Sequence, residues 1–111
     1  MQVDVDPLAC AYAASNAATA GIGACVEVRC APREQALVPG ERFPLVIADP
    51  PYLRSEEIGR FPGDPVLAID GGDDGLDVVR RCLDVIAEVL DEDGRALLQL
   101  GALTDLDAIA T

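Results

Sequence analysis

Leu45-Val46-Ile47-Ala48-Asp49-Pro50-Pro51-Tyr52 is the stretch from which the architecture of this chain is read. Leu45, Val46 and Ile47 form a short apolar run of the kind that becomes a buried strand. The strand must stop at Asp49, because neither Pro50 nor Pro51 has an N–H to give to a sheet ladder. Each proline also fixes its own φ, so the backbone just past the strand is stiff. Such a corner holds the Asp49 carboxylate, the Pro50 carbonyl and the Tyr52 ring in one place. The two oxygens can each accept a hydrogen bond from one flat –NH₂ group, and the ring can cover its π-face. The corner Asp49, Pro50, Pro51 and Tyr52 therefore predicts a site for a planar amino or amide group. The plainer alternative is a Pro-Pro turn that closes a strand, with Tyr52 merely packed.

Working outward, residues 3–5 predict a short strand, and Asp6-Pro7 reads as an N-cap followed by proline at the first helical position. Residues 8–20 are alanine-rich and predict a helix lying close against a sheet, with Gly21 as its stop. A second strand is expected over residues 25–30, and a loop with one helical turn over 31–42. Residues 43–48 are the strand of the opening motif. The connection 53–75 is long, polar and interrupted by Gly59, Pro62, Gly63, Pro65 and Gly71-Gly72. Connections of that length inside a compact domain usually serve function. Val79, Leu83, Ile86 and Leu90 share one face of a helix predicted over 76–90. A turn at 91–94, a strand over 96–100 and a last helix capped by Thr104 complete the chain. Strands alternating with helices predict an α/β fold with a mostly parallel sheet, in a single domain spanning residues 1–111.

Composition limits the function classes. The 111 residues carry 20 acids against 8 arginines and no lysine, a formal charge of −12. Nucleic-acid binding draws its affinity from lysine and arginine displacing counterions, so a polyanionic partner is disfavoured. No run is long and apolar enough to span a bilayer and no signal-peptide pattern is present, so a cytoplasmic protein without a membrane role is expected. Cys10, Cys25, Cys30 and Cys82 are expected to be buried, reduced thiols inside helices and strands. With no histidine and no Cys-x-x-Cys, a zinc site or a Cys-His nucleophile lacks its ligands and base. Asp70, Asp73, Asp74 and Asp77 suggest a calcium loop, but Gly72 and Arg81 stand at positions three and twelve, where the loop requires oxygens. A solvated acidic loop with no metal is the expectation.

Asp49-Pro50-Pro51-Tyr52 resembles motif IV of the class I S-adenosylmethionine-dependent amino-methyltransferases. Gly71-Gly72-Asp73-Asp74-Gly75-Leu76-Asp77, with residues 65–70 before it, resembles the segment after the fourth strand in the peptide chain release factor glutamine N5-methyltransferases. Val3-Asp4-Val5-Asp6-Pro7 resembles the end of their second strand. The resemblance covers residues 1 to about 101. It implies a partial Rossmann-like class I fold: a mostly parallel sheet with flanking helices, lacking the first strand with its glycine-rich loop and the closing strand pair. It implies S-adenosyl-L-methionine as cofactor, with Asp4 on the ribose hydroxyls and Asp49 close to the transferred methyl group. It also implies a protein glutamine side chain, as in a release factor, as acceptor. Asp49, Pro50 and Tyr52 would then be catalytic, and Pro51 would help to bind substrate.

Three departures qualify this. Gly21-Ile22-Gly23 follows a helix and precedes a strand, so it cannot replace the glycine-rich loop. Ala31-Pro32 stands where the family often has an acid for the adenine. Position 49 is Asp where the glutamine enzymes usually have Asn, and Asp-Pro-Pro-Tyr is seen more often in nucleobase amino-methyltransferases. Three alternatives therefore stay open: an amide methyltransferase, a nucleobase amino-methyltransferase, and a methyltransferase-like binding module without activity. A homo-oligomer supplying the absent strand is a further expectation.

Overall fold

Two pairs of parallel strands organise the backbone in the computed structural model, which describes residues 1–102, 104 and 106–110. The chain divides into two compact units, Met1–Glu41 and Arg42–Thr111.

In the first unit, β1 (Gln2–Asp4) pairs with β2 (Val28–Cys30), with Gln2 opposite Val28 and Asp4 opposite Cys30. Helix α1 (Pro7–Thr19) connects them and begins as its sequence dictates. Asp6 is extended, and its Oδ1 accepts the Leu8 N–H at 2.9 Å, while Pro7 fills a position whose N–H has no intrahelical partner. Ala20 caps the other end and Gly21 follows with φ +76°. Cys10 and Ala17 are buried and Ala13 half-buried, so small side chains let α1 lie close on β1 and β2.

The strand expected over 25–30 is shorter in the structure. A 3₁₀ turn at Gly23–Cys25 takes up its first part and leaves only Val28–Cys30 as strand. The cysteines are corrected with it: Cys10 and Cys82 are buried, but Cys25 and Cys30 are exposed, and all four are free thiols. Burial, reinforced by Cys30, Asp4 and Asp6, pushes the Cys10 thiol up to about 11. Helix α2 (Arg33–Ala36) is the single turn expected between residues 31 and 42.

In the second unit, β3 (Phe43–Ala48) pairs with β4 (Leu90–Leu98). Phe43 lies opposite Leu90, and Leu45 opposite Arg95, so residues 91–94 bulge out of register where Pro44 has no N–H to donate. The expected turn at 91–94 is thus a bulge inside a longer strand. The strand read as 96–100 runs from Leu90 to Leu98. Helix α4 (Asp77–Val89) packs on both strands through Val78, Val79, Cys82, Ile86 and Val89, and Val79 has no exposed surface. Between β3 and α4 the chain makes a 3₁₀ segment, Ser55–Arg60, and one helical turn, α3 (Val66–Ile69). Helix α5 (Leu106–Ala110) follows β4; Leu103, Asp105 and Thr111 of the expected terminal helix region lie outside the described residues. No helix among the described residues is long and apolar enough to cross a membrane.

Candidate functional site

β3 ends where its sequence requires. The Ala48 carbonyl accepts the Gln99 N–H at 2.9 Å, which continues the β3–β4 ladder one residue past Leu98. Asp49 and Gln99 therefore stand side by side at the carboxyl ends of neighbouring parallel strands, the usual location of ligand sites in α/β sheets. Pro50 is buried and Pro51 half-buried, whereas Asp49 is exposed and Tyr52 retains 36% of its surface.

Asp49, Pro50, Pro51 and Tyr52 line one hollow of about 260 Å³. Leu53, Phe61, Asp64, Ala68 and Ile69 from the long connection, and Gln99 from the end of β4, complete its wall. The connection's length drew attention to it, but no local pattern marked Phe61, Asp64 or Ala68. Gln99 could be placed only once the register of β4 on β3 was known.

The two motifs of the sequence meet here. Leu53 and Asp70 form a parallel bridge, with the Leu53 N–H on the Ile69 carbonyl at 3.1 Å and the Gly71 N–H on the Leu53 carbonyl at 2.8 Å. The Ser55 N–H reaches the Gly72 carbonyl at 2.9 Å, and its hydroxyl donates to Asp70 Oδ1 at 2.7 Å. The glycines are required by contact. A Cβ at Gly71 would lie 2.9 Å from the Pro51 carbonyl oxygen, and one at Gly75 2.6 Å from that of Tyr52. The Gly71-to-Gly75 turn is thus a clamp on the backbone of the proline corner.

The acids of that turn serve it as hydrogen-bond acceptors. Ser55 and the Gly72 N–H hold the Asp70 carboxyl below the usual carboxylate range. The Leu76 N–H and the Arg80 guanidinium do the same for Asp74, with Arg80 Nη1 at 2.8 Å. Arg80 is therefore a helix-face partner of the acids of this turn.

Asp4 belongs to the first unit. It ends β1, is exposed, and accepts the Asp6 N–H on Oδ1 at 2.9 Å; its carbonyl accepts the Ala31 N–H at 2.9 Å.

An α/β chain with an acceptor corner, an aromatic ring and a hollow at the end of parallel strands is the class that fold and site define. Comparison with known proteins narrows it. The chain is 35% identical over 74 residues to a release factor glutamine methyltransferase of Clostridium acetobutylicum, covering 62% of this chain and 26% of that protein. It is 36% identical over 104 residues to a release factor glutamine methyltransferase of Cereibacter sphaeroides, covering 89% and 37%. A ribosomal protein uL3 glutamine methyltransferase of Bradyrhizobium diazoefficiens is 44% identical over 64 residues, covering 54% and 20%. The chain is a sequence relative of the glutamine methyltransferases, as the motifs at Asp49 and Gly71 implied. It spans between a fifth and two fifths of the length of these relatives. No family model and no solved structure matches it.

Proposed function

We propose that this chain is part of an S-adenosylmethionine-dependent methyltransferase of partial Rossmann-like class I fold, with residues 1–111 serving one methyltransferase domain. Its acceptor is the side-chain amide of a protein glutamine. The observation that carries the proposal is that Asp49, Pro50 and Tyr52, the residues of the acceptor corner, all line one hollow. The names of the relatives support an amide acceptor.

The residues present fit the cofactor in part. A hollow of about 260 Å³ is smaller than the roughly 300–1,000 Å³ of pockets for drug-sized ligands. It therefore suits the reacting end of a ligand. Asp49 would face the sulfonium end; the ribose role of Asp4 is carried by the resemblance alone, since Asp4 lies in the other unit. The cofactor supplies an electrophilic methyl group on sulfur.

The chain's own residues address the other reactant. An amide nitrogen is a poor nucleophile because its lone pair is delocalised into the carbonyl. Asp49 and the Pro50 carbonyl accept its two N–H bonds and so turn the lone pair out of the hydrogen-bonded directions. They also stabilise the positive charge that grows on nitrogen, while Tyr52 holds the plane. Nitrogen becomes acidic as that charge develops, so a strong base is unnecessary and the lack of histidine is no obstacle.

Labelled S-adenosylmethionine offered with a release factor and with RNA or DNA in parallel tests the proposal. Label in the protein amide is expected. Label confined to nucleic acid would establish the nucleobase reading that Asp49 favours over Asn. Calorimetry with the cofactor alone separates an enzyme from an inactive binding module, which would give no heat.

A further inference from the structure

We propose that the Gln99 carboxamide is the donor that recognises the carbonyl oxygen of the acceptor amide. This rests on the amide-methylating function proposed above. A primary amide has two edges, an –NH₂ that donates and a carbonyl that accepts, and a selective site must pair both. Asp49 and the Pro50 carbonyl pair the first edge and can only accept. A donor for the second edge has to come from elsewhere in the hollow.

Five of the backbone donors there are already bonded; the N–H groups of Asp49, Tyr52 and Ile69 are not among them, so the choice rests on which donor is placed at the edge of the amide plane. Pro50 and Pro51 have no N–H. The N–H groups of Leu53, Phe61, Asp64, Ala68 and Gln99 are all bonded to backbone carbonyls, those of Ile69, Ile58, Phe61, Pro65 and Ala48 respectively. The lining side chains that can donate are the Tyr52 hydroxyl and the Gln99 amide. A ring lying over the amide plane keeps its hydroxyl away from the edge of that plane. Gln99 is placed well for the edge. The ladder pairs Ala48 with Leu98 and continues through the Gln99 N–H, so residues 49 and 99 are neighbours on the same side of the sheet. Adjacent strands lie about 4.8 Å apart. At that separation, Asp49 and Gln99 can grip the two edges of one carboxamide.

The test uses the whole chain and a short peptide with one central glutamine, titrated by NMR. Gln99→Leu is expected to weaken peptide binding about tenfold, since it leaves the bound carbonyl without its partner. Gln99→Glu keeps length and polarity but replaces the donor by an acceptor, and is expected to lose at least as much. Asp49→Asn introduced into the Gln99→Leu chain restores binding to within about threefold of wild type, because asparagine accepts and donates at once. A merely structural role for Gln99 could not be rescued in this way. Wild-type affinity in Gln99→Leu, or no recovery in the double variant, overturns the assignment. A wild-type chain that gives no shift with the peptide overturns the amide reading of the hollow itself, and Gln99's role with it.

Discussion

A methyl group on Gly101 would lie 2.8 Å from Tyr52 Cε2 and 2.9 Å from Cδ2, closer than carbon atoms pack. The missing side chain at 101 thus sets where the ring of residue 52 lies. Gly101→Ala is expected to displace the ring and to cost about 1–3 kcal/mol, the usual range for overpacking. In a Tyr52→Ala background the same change has nothing to strike and should cost almost nothing. A urea-denaturation cycle over the four chains measures this. Additive costs would show that the ring does not rest on Gly101. At this scale the sequence was informative wherever the chemistry is local. Two successive prolines stop a strand, and Asp6-Pro7 ahead of an alanine-rich run starts a helix. Gly101 and Gln99 carry no such local signature. They reach residues 49–52 because β4 pairs with β3 across some fifty positions of chain, and no short window contains that pairing.

Helix α4 and the turn before it are where an element fixes the site. The turn brings Gly75 to φ +79°, where an added Cβ would lie 2.6 Å from the Tyr52 carbonyl oxygen. Gly75→Ala meets both obstacles. The left-handed conformation alone costs an L-residue about 1–2 kcal/mol, and the contact must be relieved by moving the corner. Loss of glutamine-peptide binding larger than the loss of stability is the expected signature, read by titration and by urea midpoint on one sample. Equal losses would make the turn only a connector. Deeper in the element, Val79→Thr keeps the shape of a side chain with no exposed surface and adds a hydroxyl. Its cost is expected near 2 kcal/mol, from burying a polar group where apolar side chains surround it. The amphipathic stripe made α4 legible within one residue at each end. The strands were harder. Gly23–Cys25 tightens into a 3₁₀ turn where alternation suggested strand, and residues 91–94 bulge where a turn was expected, because Pro44 on the opposite strand cannot complete the ladder. The bulge arises from a partner distant in sequence, whereas the 3₁₀ turn closes through the local Cys25 N–H on the Ile22 carbonyl.

Charge belongs to the molecule as a whole. With 20 acids, 8 arginines and no histidine, hardly any side chain titrates near neutrality, so stability should be flat between about pH 6 and 8. On the acid side two effects oppose each other. Protonating carboxyls relieves the repulsion of a −12 chain, and it also breaks ion pairs. The principal pair is Arg29 with Glu41. Nη1 lies 2.6 Å from Oε1 and Nη2 2.8 Å from Oε2, while Arg29 Nε holds Glu27 at 2.8 Å and Nη1 the Ala36 carbonyl at 2.8 Å. The Arg29 hydrogen bonds and the Val38 N–H bring the Glu41 carboxyl from its ordinary 4.5 to about 2, and Arg29 lowers Glu27 as well. A carboxyl whose folded pKa lies below its unfolded one stabilises the fold above the unfolded value. That contribution fades as pH falls from 4.5 toward 2. Glu41→Gln removes the titrating group but keeps the shape, so the comparison cancels the global repulsion to within one charge. The melting temperature of wild type should exceed that of Glu41→Gln by a constant amount from pH 5 to 8, and the gap should close on further acidification. A gap that stays level down to pH 2 would mean that Glu41 does not hold its charge through Arg29, because the only pH-dependent difference between the two chains is that proton.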